Sequence, residues 1–358
     1  MIRKSFPSGS LALLLVLQIL SLFSDSSVFA NATPKQPTIL YQLKTSKYQK
    51  LLSELQKKHG FKKDDLNKIF KQVELRPEII EKFERPAELL PYAQYNLRFL
   101  TPGLIAKGRD FLTVHRTTFE RIEKEYGVEK EIIGAILGIE SKFGDRAVQG
   151  YRVFDALNTG FALYPKRRDF FRSQIIEYLL LCREQHRDVF SIQGSYAGAF
   201  GAPQFMPSSF RKYAVDDNHD GEIDLWDTSD DIIASVANYL KQHGWEQGGP
   251  YRLRAQIDHQ GPKIQSLLEK GLRAQVTLAD LSKWEVHWEA AGTVPTSEDL
   301  EKPVSLVSYL QEEGQEKPIL IVFQNFKSLS AYNPAINYVL AVLDFSNLLK
   351  AAGPLSPS

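Results

Sequence analysis

Apolar residues recur at helical spacing along most of this chain. Leu51, Leu52 and Leu55, followed by Leu66, Ile69, Phe70 and Val73, mark two amphipathic helices near the start. Asp64 and Asp65 fall in the first turn of the second, where carboxylates favour a helix N-terminus. Pro77, Pro86, Pro91 and Pro102 punctuate the next stretch of chain, so helices there should be short. From 104 to about 245 the pattern is again mainly helical, with long apolar stretches at 132–139 and 175–181. It changes at Gly248-Gly249-Pro250. Beyond that point 251–257, 274–278, 304–310 and 319–326 are short β-prone runs between polar or turn-rich stretches, which predicts a small antiparallel sheet. Residues 334–350 return to a helical pattern, and 353–358 are expected to form a disordered tail.

The first thirty residues stand apart. Arg3 and Lys4 precede an apolar run from Leu11 to Phe23, and Val28-Phe29-Ala30 offers small residues for cleavage. The run is interrupted by Gln18 and is shorter than the roughly 20 apolar residues that span a bilayer, so it reads as a secretory signal peptide rather than an anchor. No cysteine follows it that could carry a lipid. An exported, soluble protein is expected, periplasmic or associated with the cell wall, without a stable membrane anchor. Lys+Arg 44 against Asp+Glu 43 gives a formal charge of +1, and removing 1–30 takes away two basic residues and one acidic one, which balances the signs. A nucleic-acid partner is thereby disfavoured, because phosphate binding needs a basic excess. The lone Cys182 rules out an internal disulfide, a thiolate zinc cluster or a Cys-x-x-Cys redox pair.

Four segments carry candidate chemistry. Glu140 follows Ile133, Ile136 and Leu137 at helical spacing, at the end of an apolar stripe that Gly144 soon terminates. A carboxylate there is either a surface group at a helix end or one held in a poorly solvated cleft, where desolvation would raise its pKa toward that of a general acid. Residues 194–210 combine Gly194, Gly198 and Gly201 with small alanines, which suggests a flexible, sterically open stretch that lets backbone approach a ligand. Ser195, Tyr196, Gln204 and Ser208 beside Phe205 would suit a sugar; a glycine-rich connector would look the same. Residues 216–227 fit a twelve-residue calcium loop. Asp216, Asn218 and Asp220 take positions 1, 3 and 5, Gly221 the sharp turn, Glu222 a backbone carbonyl, Asp224 position 9 and Asp227 position 12. Aspartate in place of the usual closing glutamate predicts a weak, structural Ca2+ site. Lys166, Arg167 and Arg168 beside Tyr164 and Phe170 could hold anionic groups, or form a solvated helix start. No G-x-S-x-G elbow, phosphate loop or catalytic zinc spacing occurs.

These pieces together resemble the lytic murein transglycosylase B family. The resemblance is carried by Tyr95 with Phe99-Leu100-Thr101-Pro102, Gly138-Ile139-Glu140-Ser141, Tyr164-Pro165, Ser195-Tyr196-Ala197-Gly198-Ala199, Gln204-Phe205-Met206-Pro207-Ser208-Ser209, the Asp216 loop, and Ser235-Val236-Ala237-Asn238-Tyr239 with His243-Gly244-Trp245. It implies a mainly α (α+β) fold: a lysozyme-like helical core at 103–248, a helical N-terminal domain at 31–102, a small antiparallel β domain at 249–330 and a C-terminal helix and tail at 331–358. It also implies Glu140 as the catalytic acid/base. Tyr95, Ser195, Gln204, Phe205, Tyr239 and Tyr332 would contact the glycan, and Asp216, Asn218, Asp220, Glu222 and Asp227 would form the metal loop; Lys166 and Arg167, from the residues alone, join the expected substrate contacts. Phe143, Ala202-Pro203 and Ala331 depart from the family pattern, which bears on subsite affinity more than on catalysis. The expected activity is cleavage of the β-1,4 bond between N-acetylmuramic acid and N-acetylglucosamine in peptidoglycan, by a monomer without an organic cofactor. It would form a 1,6-anhydro product; a hydrolytic muramidase or a non-catalytic wall-binding protein are the alternatives.

Overall fold

The computed structural model describes residues 38–84, 87–145, 150–227, 229–289 and 296–351. The signal-peptide segment and the tail from 353 lie outside them. Helices dominate up to Gln242 and return at Gln324, with a five-stranded sheet between.

One hydrophobic core joins the first and last described helices. Leu51, Leu55, Leu66 and Phe70 of the first helices pack into the same cluster as Ile133 and Leu137 of the helix Lys130–Ser141 and Val342 and Phe345 of the last helix, Ile336–Lys350. The helix Lys130–Ser141 is buried on nearly every face, which accounts for its almost uninterrupted apolar sequence. Gly138 sets how closely its neighbours approach: a Cβ there would meet Phe345 Cε1 at 2.3 Å and Phe143 Cζ at 2.9 Å. Cys182 is a buried core residue, and burial pushes its thiol up to about 12, so it stays neutral and inert.

The small strands β1 (Tyr151–Arg152) and β2 (Gln193–Gly194) form an antiparallel ribbon. The main sheet contains β3 (Arg252–Ile257), β4 (Val276–Thr277), β5 (Val286–Glu289), β6 (Pro303–Ser308) and β7 (Ile319–Val322), all antiparallel in the order β4-β6-β7-β3-β5. Strand β7 explains how it is held. Ile319 and Ile321 join Leu253 and Leu306 in a second, smaller core, whereas Leu320 and Val322 point the other way into the helical core. A strand buried on both faces reads as an unbroken apolar run.

Two expectations for this region need correction. The β-prone run at 319–326 ends as strand at Val322, and Gln324–Tyr332 is a helix. Tertiary contacts decide this: Gln324 Nε2 donates to His243 O at 3.0 Å, and buried Asn325 accepts from Glu246 N and donates to Glu246 O, both at 2.7 Å. The stretches between expected strands also contain helices Pro262–Lys270 and Leu278–Lys283 and strand β5.

The sheet fixes the last helix. Arg252 of β3 donates to Asp344 Oδ1 at 2.8 Å, and Tyr92 donates to Asp344 Oδ2 at 2.5 Å. Asn337 Nδ2 reaches Leu90 O at 2.7 Å. Hence the strands, the short helix Tyr92–Tyr95 and the C-terminal helix lock together around one carboxylate.

Candidate active site

Glu140 lies in the last turn of Lys130–Ser141, half-buried. The helix closes through Lys142 N to Gly138 O and Phe143 N to Leu137 O, both 3.1 Å, with Lys142 at φ 52, Phe143 at φ 61 and Gly144 at φ 83. Two non-glycine residues in the left-handed region, beginning two positions after Glu140, are backbone strain of the kind found at functional sites. Ser141 Oγ secures the turn, donating to Leu137 O at 3.2 Å and accepting from Gly144 N at 3.0 Å.

Tyr338, from the C-terminal helix, donates its phenol proton to Glu140 Oε1 at 2.7 Å. Burial, then the Glu140 charge, holds the Tyr338 phenol well above its usual range, so it remains an O–H donor at any physiological pH. Tyr332 stacks on it with ring centroids 6.4 Å apart, and its own phenol, raised for the same two reasons, donates to Pro203 O at 2.5 Å. Tyr332 therefore ties the acid to the 194–205 segment. Tyr239 completes the cluster, 4.7 Å from Tyr332 between ring centroids and donating to Ala331 O at 2.6 Å.

The 194–205 segment differs from the open, flexible stretch expected of its glycines. A Cβ on Gly194 would sit 2.2 Å from Ala199 O, one on Gly198 would sit 2.4 Å from Leu157 Cδ2, and one on Gly201 would sit 2.9 Å from Leu225 O. The glycines permit tight packing. Ser195 Oγ accepts Ala197 N at 3.3 Å and Ala199 N at 3.2 Å, which leaves its O–H as what it can offer a ligand. Gln204 is held at φ 50 with Nε2 on Gly201 O at 2.9 Å, a second strained position at this site. Phe200 and Phe205 pair through two 3.0 Å backbone bonds.

Burial divides the residues expected to touch glycan. Tyr95 and Phe205 are each 2% exposed and Tyr239 7%, so these rings are packed in the interior; Phe205 presents little aromatic face to a sugar. Ser195, Gln204, Tyr332 and Glu140 are half-buried and can reach a ligand. Lys166 and Arg167 are exposed in the turn Pro165–Arg167 and form no ion pair among the described residues. The Arg167 guanidinium lies over Phe170 at 4.1 Å, and this turn connects to the Ser195 segment through Tyr164, Phe83 and Tyr196. Sequence reasoning missed Tyr338, because a tyrosine in the stripe Ile336–Lys350 looks like any core aromatic.

The acidic loop has the turn expected of it, with Gly221 at φ 92 and Asp216 Oδ2 accepting Gly221 N at 3.0 Å. Among the described residues no three His, Cys, Asp or Glu side chains stand close enough to hold a metal ion. Asp220 instead accepts Glu222 N at 2.9 Å and Asn218 Nδ2 at 2.8 Å, and these two bonds hold its carboxyl below the usual range. Asp231, outside the loop, spans it by accepting Asp217 N at 2.8 Å and Asp224 N at 2.9 Å. Burial pushes the Asp231 carboxyl up, against those backbone bonds. The donor chemistry fits a hard cation: oxygens only, around an obligatory glycine turn.

A mainly helical, lysozyme-like fold that presents a glutamate among tyrosines defines the class. The family described as Transglycosylase SLT domain matches residues 44–347. The membrane-bound lytic murein transglycosylase B of Escherichia coli (strain K12) is 30% identical over 304 residues, covering 82% of this chain and 80% of its own. Soluble lytic transglycosylase SltB1 from Pseudomonas aeruginosa is 37% identical with a TM-score of 0.72, covering 84% of this chain and 97% of that one. The Escherichia coli lytic transglycosylase Slt35, solved in complex with calcium, is 28% identical with a TM-score of 0.72 and coverages of 87% and 98%. This chain belongs to the transglycosylase SLT domain family.

Proposed function

We propose that this protein is a peptidoglycan lytic transglycosylase that cleaves between N-acetylmuramic acid and N-acetylglucosamine, leaving a 1,6-anhydro end. The contact that carries the reading is Tyr338 on Glu140. With Oε1 accepting from a phenol that stays protonated, the transferable proton sits on Oε2. Glu140 gives that proton to the glycosidic oxygen as the C1–O bond breaks, and the 2-acetamido carbonyl of the same sugar stabilises the positive charge at C1. The carboxylate then takes the proton of the C6 hydroxyl, whose oxygen bonds to C1. No water is consumed, and the tethered hydroxyl has the advantage of proximity. Most glycosidases use two carboxylates, and substrate participation replaces the second. Mass spectrometry of muropeptides released from purified sacculi tests this. Products one water lighter than hydrolytic ones are expected; hydrolytic products would assign a muramidase, and binding without release a wall-binding protein.

Ser195 and Gln204 contact the sugar directly, with Tyr332 at the cleft wall and Tyr95, Phe205 and Tyr239 holding it from behind. Lys166 and Arg167 take anionic groups of the wall. Tyr338→Phe removes a hydrogen bond to the carboxylate charge that develops as Glu140 gives up its proton, worth about 1.5–3 kcal/mol, so kcat should fall by at least about tenfold with KM little changed. Steady-state kinetics with a soluble glycan substrate check this, and an unchanged kcat would remove Tyr338 from the mechanism.

Calcium would be held by Asp216, Asn218, Asp220, the Glu222 carbonyl and Asp227, in a structural role. For a weak site of about 10⁻⁴–10⁻³ M, adding about 10 mM calcium to chelator-treated protein should stabilise it by about 1–3 kcal/mol. Calorimetry should show a rise in Tm that Asp216→Ala abolishes; no rise in the wild type would dismiss the site. Among the described residues no helix is long and apolar enough to cross a membrane. The proposed setting is the periplasm or the wall, as an exported, unanchored monomer. The proposed domain boundaries follow 102, 248 and 330.

A further inference from the structure

We propose a second binding site, outside the Glu140 cleft, for the zwitterionic head of an α-amino acid. A cavity of about 410 Å3 opens beside β2, lined by Arg187, Gln193, Asp224, Trp226 and Asp227 among others. That volume lies in the range of small-ligand pockets.

Arg187 is the cationic group of this cavity. Its guanidinium lies over the Trp226 ring at 4.5 Å, and Trp226 is stacked on Phe200, with ring centroids 5.7 Å apart and planes 10° apart. Its backbone is fixed by a 2.9 Å bond from Arg187 N to Cys182 O. Among the described residues the guanidinium has no ion pair or hydrogen bond. Elsewhere Arg121 is paired with Asp217, Arg152 with Asp155, Arg211 with Glu184 and Arg252 with Asp344. A guanidinium held over an indole and without another partner offers its N–H groups as a fork for a carboxylate.

The acidic lining decides which carboxylate. Asp224 lines the same cavity, and its Oδ1 is oriented by Trp226 N at 2.8 Å and Asp227 N at 3.2 Å. A simple anion meets the Asp224 charge, and a simple cation meets Arg187. A carbon carrying both ammonium and carboxylate satisfies both groups, as the free end of a diamino acid in a peptide does.

The cavity shares its backbone with the cleft. Gln193 precedes Ser195 by two residues, and Ala202 N donates to Leu225 O at 2.7 Å, next to Trp226. A stem peptide held here would keep its glycan strand against the cleft; this extension rests on the reading of Glu140 as acting on peptidoglycan, whereas the ligand chemistry does not.

The test uses full-length protein in calcium-free buffer, with binding measured by ligand-observed NMR. Three probes share one carbon spacing: meso-2,6-diaminopimelate, pimelate with only the carboxylates, and 1,5-diaminopentane with only the ammoniums. Diaminopimelate should bind at least about tenfold more tightly than either of the others, and Arg187→Gln should weaken it by about tenfold or more, with Arg187→Lys intermediate. Glu140→Gln should bind it as the wild type does. Equal binding of the three probes, no binding, or full affinity in a folded Arg187→Gln protein overturns the site. On sacculi strands, Arg187→Gln should raise KM for peptide-bearing glycan and leave kcat and peptide-stripped glycan unchanged; equal KM values for both variants overturn the stem-peptide extension alone. Absence of cleavage by the wild type would defeat the cleft reading and leave the binding result standing.

Discussion

Glu140→Gln is expected to slow release of soluble fragments from sacculi by about 10²–10⁴-fold, the usual contribution of a positioned general acid. The amide keeps an oxygen to accept the Tyr338 phenol, so the contact that holds the side chain survives while the transferable proton is lost. Thermal unfolding should therefore match the wild type. Turbidity loss of a sacculus suspension, read beside a melting curve, separates the two effects. Substantial lysis by a folded Glu140→Gln protein would remove Glu140 from the chemistry.

Gly194→Ala should act in the opposite way, through the scaffold. The added methyl would lie 2.2 Å from Ala199 O and 2.8 Å from Val153 Cγ2, and one of those obstacles is backbone. Relief requires moving β2 or the Ser195 turn, at a cost of about 1–3 kcal/mol, with the upper end expected because the carbonyl cannot rotate aside. Chemical denaturation should show a lower midpoint at an unchanged slope, and activity should fall because Ser195 moves with its neighbour. An unshifted midpoint would mean that the segment yields more easily than its packing indicates.

Much of the fold was legible in the sequence, for physical reasons. Helices whose apolar stripe meets a core betray themselves by period, as at 132–139 and 175–181, and β7 did so by an unbroken apolar run. What escaped was set by distant partners. The helix Gln324–Tyr332 looks strand-like locally and is decided by Gln324 and Asn325 bonding to residues about 80 positions earlier. At the candidate site, Glu140, Ser195 and Gln204 stand out as chemistry in unusual places. Tyr338 does not, because nothing local distinguishes a tyrosine facing a carboxylate from one facing leucines. Burial was equally hidden: the sequence offers Phe205 as a surface for sugar, and the structure spends that ring on Tyr239 and Tyr332.

The bond between Tyr338 and Glu140 joins residues separated by 198 positions, and Tyr332 reaches back 129 positions to Pro203. Such long closures are slow to form and come late in folding. A chain still emerging from the ribosome has Glu140 but not the helix whose Tyr338 holds it. Wall-cutting ability would consequently arrive in one step, when the final segment docks, and fragments ending before Ile336 would be harmless to the cell that makes them.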